Sequence, residues 1–271
     1  MRKVPFKKMH GSGNDFILID NRQGIIDHNE APEVAKKLCK RGFGIGADGL
    51  ILIENSGKAD FKWHFLNADG SVAEMCGNGG RCAARFANMT GICGNQLTFE
   101  TAAGIIKATV KGDVVKLQLT RPQNIKTNML LLVDGKEIHL DFADTGVPHA
   151  VIYCKELEKL NVHDFGKKIR FHPAFQPTGT NVNFVKIDAE HLIRVRTYER
   201  GVEDETHACG TGATASALLA GIRKMVSSPV EVITSGGERL VVHFDLARPD
   251  ETYLEGKATL VYSGITEEIL T

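Results

Sequence analysis

The chain repeats itself. Residues 76–87 read CGNGGRCAARFA and residues 209–220 read CGTGATASALLA, so Cys76 falls on Cys209, Gly77 on Gly210, Gly79 on Gly212, Ala84 on Ala217 and Ala87 on Ala220. The offset of 133 residues persists without a gap outside this stretch: Gly13 falls on Gly146, Gly46 on Gly179, Thr101 on Thr234 and Gly104 on Gly237. A chance pair of cysteine motifs would not hold register over such a span. The chain is therefore read as a tandem duplication of one module, which requires that whatever fold it adopts be built twice.

Each copy starts with a cysteine, passes a glycine turn and enters a run of small residues with helical character. Backbone N–H groups at a helix start lack intrahelical partners and attract anions, and the same field lowers the pKa of an adjacent thiol. Two such elements facing one another would form a carboxylate site flanked by two reactive sulfurs. A carbon acid beside a carboxylate loses its proton only if the developing charge is stabilised, and preorganised N–H donors do this without a metal. A thiolate on one face and a thiol on the other would then invert the centre.

The bulk properties remove other classes. The 271 residues suit two domains, and 33 basic residues balance 33 acidic ones, so charge points to neither nucleic acid nor a membrane surface. The start, MRKVPFKKMHGSGND, has no apolar signal-peptide run, and a cytoplasmic location is expected. Of six cysteines, Cys39, Cys82, Cys93 and Cys154 are assigned to packing. No CxxC or HxxxH spacing offers a zinc site, and no metal is expected. Gly44–Gly49 (GIGADG) matches GxGxxG formally, but its glycines follow a helix and precede a strand, the reverse of a dinucleotide fingerprint.

Periodicity predicts short strands around 4–6, 16–20, 50–53, 61–66, 97–100, 105–110 and 114–119, with helices at 31–39 and 78–89. The second half repeats the order, with strands near 138–142, 150–153, 183–187, 194–198, 230–233 and 240–244 and helices at 155–168 and after Cys209. Residues 121–128 are the expected linker. Many strands and few helices argue an α+β fold, each module a mostly antiparallel sheet or barrel wrapped around a central helix. The expected modules are 1–121, with the tail 263–271 packing back on it, and 122–262.

The sequence resembles the diaminopimelate epimerase family at HGSGNDF (10–16), NADGS (67–71), CGNGGRC (76–82), PH (148–149), YERG (198–201) and ACGTGA (208–213). The resemblance implies two pseudo-symmetric modules around a closing cleft, and cofactor-independent two-base interconversion of LL- and meso-diaminopimelate, on the way to lysine and peptidoglycan. Cys76 and Cys209 would be the acid and base, with His149 helping Cys76 and Glu199 helping Cys209. The N–H groups of Gly77, Asn78, Gly210 and Thr211 would hold the reacting carboxylate, with Asn14 close by. Asn67, Asn181, Glu199 and Arg200 would contact substrate, Arg200 as a bidentate carboxylate partner. A homodimer is expected from the resemblance.

This chain has Val147 where many members have Asn, Gly49 where many have Gln, and one extra residue in the loop 199–206. These bear on the distal end of the substrate, not on the cysteines. A two-thiol racemase of histidine or proline therefore stays open, as does a thiol redox or binding protein. A pyridoxal phosphate enzyme is disfavoured because no lysine sits in a phosphate-loop context.

Overall fold

In the computed structural model, which describes residues 3–73 and 75–266, the chain divides into two units. One runs to Gln118 and resumes at Gly256; the other is Leu119–Glu255. Residues 267–271 of the expected tail lie outside the described residues. No helix among the described residues is long and apolar enough to cross a membrane.

In the first unit, β1 (Val4–Gly11) and β2 (Asn14–Asp20) form a hairpin whose turn residues Ser12 and Gly13 have φ of 59° and 83°. Helix α1 (Ala31–Cys39) leads to β3 (Gly49–Glu54), parallel to β2, and β4 (Phe61–Asn67) returns antiparallel to β3. Strand β3 reads GLILIE and is buried throughout, as a strand covered on both faces must be. Helix α2 (Gly77–Met89) then crosses to β5 (Gln96–Thr101), parallel to β4, and β6 (Gly104–Lys111) with β7 (Val114–Gln118) completes a meander. Helix α2 packs against β1, β2, β3, β6 and β7.

The second unit contains β8 (Gln123–Val133), β9 (Lys136–Asp144), β10 (Pro148–Tyr153), α3 (Val162–Arg170), β11 (Asn181–Ala189), β12 (Leu192–Glu199), β13 (Asp204–Thr206), α4 (Gly210–Ile222), β14 (Val230–Thr234) and β15 (Arg239–His243). Here too each α-helix joins a parallel pair, β10 with β11 and β12 with β14, while the other pairings are antiparallel. Strand β16 (Tyr253–Lys257) pairs with β15, and β17 (Thr259–Thr266) pairs antiparallel with β1. The fold is α+β, a duplicated sheet around a helix.

Helix α4 shows why. Its sequence, GTGATASALLAGI, is small or apolar on every side, and Gly212–Gly221 are all buried, against β9, β10, β11, β12, β14 and β15. Its two buried hydroxyls stay within the helix: Thr214 Oγ1 donates to Gly210 O (2.9 Å) and Ser216 Oγ to Gly212 O (2.7 Å).

Two expectations are corrected. Residues from Gln123 are not a linker but strand β8, paired with β9 through two register shifts, with Asn124 and Asn128 at positive φ. The irregularity is held by Asp141, fully buried, which accepts from Asn128 N (2.7 Å), Tyr153 OH (3.1 Å) and Arg223 Nη1 (2.9 Å). The helix expected at 155–168 is a short 3₁₀ turn at Leu157–Lys159 followed by α3, which begins where Asn161 caps Asp164 N at 3.1 Å.

The duplication extends to backbone conformation. Gly13 and Gly146, Gly46 and Gly179, and Gly104 and Gly237 all have positive φ. Helices α2 and α4 end alike: Ile92 N donates to Ala87 O and Met225 N to Ala220 O, each at 2.9 Å, around a left-handed residue. That residue is Gly91 in the first unit (φ 74°) and Lys224 in the second (φ 58°), where a Cβ is unfavourable. Lys224→Gly is expected to stabilise the protein by about 0.5–1 kcal/mol in urea unfolding; a loss of stability would show that the lysine side chain holds the turn.

Candidate functional site

In the first unit, Cys76 is the N-cap of α2, with extended backbone (φ −148°, ψ 120°), and its sulfur accepts from Gly79 N at 3.4 Å. No acidic residue lies in the first turn, so the positive end of the helix is not offset by a carboxylate of its own. Asn14 Oδ1 stands 3.5 Å from both Cys76 Sγ and Asn78 Nδ2. The orientation of Asn14 is set from the other side, since its Nδ2 donates to Asp48 Oδ2 at 2.7 Å. Asp48 and Asp15 are bridged by Arg41, with Arg41 Nη2 2.6 Å from Asp15 Oδ1 and 2.8 Å from Asp48 Oδ1. Burial alone would raise the Asp15 carboxyl, but hydrogen bonds and charge from Arg41 and Lys8 hold it at about 2.

The start of α2 is fixed by a residue that the sequence reading passed over. Arg81 is fully buried, and its Nη2 donates to Ser12 Oγ (2.9 Å) and Asn78 Oδ1 (2.8 Å). It ties the β1–β2 turn to the helix. Asn67, by contrast, is a turn residue here: its Nδ2 donates to Ser71 Oγ at 2.9 Å and its N–H to Ser71 O at 2.8 Å.

In the second unit, Cys209 is the N-cap of α4 (φ −122°, ψ 109°), and again the first turn has no acidic residue. Its sulfur lies 3.5 Å from Thr211 Oγ1. Thr145, at the position matching Ser12, donates through Oγ1 to Thr211 O at 2.9 Å, so the β9–β10 turn reaches its helix directly, with no arginine between. Asn181 is a clamp: Nδ2 donates to Pro148 O (3.0 Å) and Oδ1 accepts from Arg200 N (2.8 Å). The Arg200 guanidinium donates to Thr178 O at 3.2 Å. Burial raises the Glu199 carboxyl above its ordinary range, opposed by the hydrogen bond from Thr206 Oγ1 at 2.9 Å.

His149 is fully buried, and burial, with the Arg200 charge adding to it, lowers its pKa to about 3. Its Nδ1 lies 3.1 Å from Asn183 Nδ2, and its Nε2 has no hydrogen-bond partner among the described residues. Asn183 was another omission of the sequence reading. The signal was available: the matching residues of the first unit are Phe16 and Leu50 where the second has His149 and Asn183.

A Cβ placed on Gly212 would overlap Asn183 Oδ1 and stand 3.3 Å from Cys209 Sγ, whereas one on Gly79 would meet Ile51 Cδ1 at 3.3 Å, Phe16 Cζ at 3.5 Å and Cys76 Cβ at 3.6 Å. At Gly49 a Cβ would meet Phe65 Cε2 at 2.6 Å and Leu66 O at 2.8 Å, so a side chain there would require the Phe65 ring and the β4 backbone to shift.

The family model described as diaminopimelate epimerase matches residues 6–125 and 142–261, covering both halves. The chain belongs to the diaminopimelate epimerase family. It is 50% identical to the diaminopimelate epimerase of Aquifex aeolicus over 281 residues, covering 98% of this chain and 99% of the relative. It is 45% identical to that of Chlorobaculum tepidum, covering 94% of this chain and 98% of the relative. A crystal structure of a phenazine biosynthesis protein of the PhzF family from Bacillus anthracis shares the fold, with a TM-score of 0.71 at 16% identity over 99% of this chain and 100% of that one. Membership of the family makes the chain an isomerase of the epimerase class.

Two expectations follow. Gly212→Ala should cost about 1–3 kcal/mol, against less than about 1 kcal/mol for Gly79→Ala, in parallel unfolding measurements; equal costs would contradict the packing described. Because His149 takes a proton near 6.5 when unfolded but only near 3 when folded, its contribution to stability is complete above 6.5 and is lost as pH falls towards 3. His149→Phe should flatten that part of the stability curve, whatever its absolute stability, and an unchanged slope would contradict neutral burial.

Proposed function

We propose that the enzyme interconverts LL- and meso-diaminopimelate by two-base proton transfer between Cys76, Cys209 and the substrate α-carbon. In one direction a thiolate takes the α-proton, so a C–H bond breaks and an S–H bond forms. The other thiol delivers its proton to the opposite face, and the roles are exchanged on return. The observation that carries this reading is that both cysteines are N-caps of helices whose first turns have no acidic residue.

In this reading the N–H groups of Gly77, Asn78, Gly210 and Thr211 hold the reacting carboxylate, and Asn14 sits beside Cys76. His149 supports Cys76 and Glu199 supports Cys209. Asn67, Asn181 and Arg200 contact the distal amino acid end, with Asn181 presenting Arg200 by holding its backbone N–H. No cofactor takes part, and the enzyme works as a cytoplasmic homodimer. A second reading keeps the chemistry but changes the amino acid; it is favoured by Val147, which stands where many members have an Asn that helps hold the distal end.

Proton NMR of the reduced enzyme in deuterium oxide separates these. Loss of the α-proton signal of LL-diaminopimelate with appearance of the meso isomer is expected, and exchange with another amino acid alone would move the substrate. Cys76→Ala and Cys209→Ala are each expected to slow epimerisation by roughly 10³-fold or more. Wild-type turnover in either variant would overturn the two-thiol mechanism.

A further inference from the structure

The second unit buries polar groups where the first buries hydrocarbon. His149, Asn183 and Thr197 are all buried and joined in one chain of hydrogen bonds, while the residues matching the first two are Phe16 and Leu50, both packed in the apolar core. The same sheet therefore forms without this network. Polar side chains at the positions of His149 and Asn183 add nothing to stability that phenylalanine and leucine do not supply better.

The network has one consistent proton arrangement. Asn183 Nδ2 lies 3.1 Å from the carbonyl oxygen of Ala150, which can only accept, so the amide nitrogen must be on that side. Its oxygen then accepts from Thr197 Oγ1 at 2.9 Å. The second N–H of the same nitrogen points to His149 Nδ1, 3.1 Å away, which must accept. A neutral imidazole that accepts at Nδ1 carries its proton on Nε2. That N–H is buried and has no partner among the described residues.

We infer that Asn183 is a positioning residue that locks His149 in the Nε2–H tautomer, so that His149 presents a buried hydrogen-bond donor at Nε2 and not a proton acceptor. The inference rests on the two-thiol reading for the fall in kcat it predicts. It requires no proton transfer at His149: the N–H stays on nitrogen while the proton that moves travels between carbon and sulfur. Burial holds the ring neutral, in keeping with a donor N–H at Nε2.

The test reads the tautomer directly, by long-range proton–nitrogen correlation on enzyme carrying nitrogen-15 histidine, with His149→Gln to assign the signal. Wild type is expected to show a neutral ring protonated at Nε2. In Asn183→Asp the carboxylate can only accept from Nδ1, so the signal should change to the Nδ1-protonated or doubly protonated ring. kcat should fall by about 10²-fold with little change in KM. If Asn183→Asp does not fold, Thr197→Val removes the donor that holds the amide oxygen, and a mixture of tautomers with a smaller fall in kcat is expected. An Nδ1-protonated or charged ring in wild type would overturn the inference, as would a changed tautomer with wild-type kcat. Failure of the two-thiol reading is distinct, because it would appear as turnover in the cysteine variants with the histidine signal unaltered.

Discussion

A helix start leaves N–H groups that the helix itself cannot satisfy, and the residues that carry them here, Gly77, Asn78, Gly210 and Thr211, are half-buried. Everything around Cys76 and Cys209 answers to that condition. A cysteine stands at each N-cap, glycine follows it, and the acidic residues that usually sit in a first turn are missing from both. No carboxylate of the first turn offsets either helix start. The neighbouring turn is then fastened to the helix start by Arg81 through Ser12 in one unit and by Thr145 in the other.

Much of this was legible in the sequence, because the features involved are local or repeated. The cysteine N-caps and the helices behind them are short-range signals, and the offset of 133 residues marked the same turn glycines twice. What escaped has physical causes. Strand β8 carries two register shifts and polar residues such as Gln123, Lys126 and Asn128, so it shows no alternation; its bulge is held by Asp141, from the next strand. The helix expected at 155–168 begins only at Val162, after a cap at Asn161 that periodicity does not register. Arg81 lies inside the CGNGGRC motif, and only the fold shows that it is fully buried. Asn183 sits in a strand among Val182, Phe184 and Val185, where a single polar residue reads as an outward-facing position until its partners are known.

The two units keep a common backbone while their side chains have parted. Gly70 and Gly91 hold left-handed positions that Glu203 and Lys224 occupy in the second unit. Glu203 turns its position to use, taking two hydrogen bonds from Arg170 and one from Gly201 N. Phe16 and Leu50 became the counterparts of a hydrogen-bonded histidine and asparagine. The copies thus share the turn conformations that the chain path demands and differ in the side chains packed there.

Strand β17 gives the pairing of β1 an unusual span. Lys7 and Ser263, whose side chains meet at 3.2 Å, are 256 residues apart along the chain, whereas the corresponding edge of the second unit is closed by β8 and β9, adjacent in sequence. On a ribosome the module made first is therefore the last to be finished, and its β1 edge stays open while the entire second module is synthesised. The second module, continuous in sequence, can close as soon as it emerges. Duplication has placed the order of completion opposite to the order of translation.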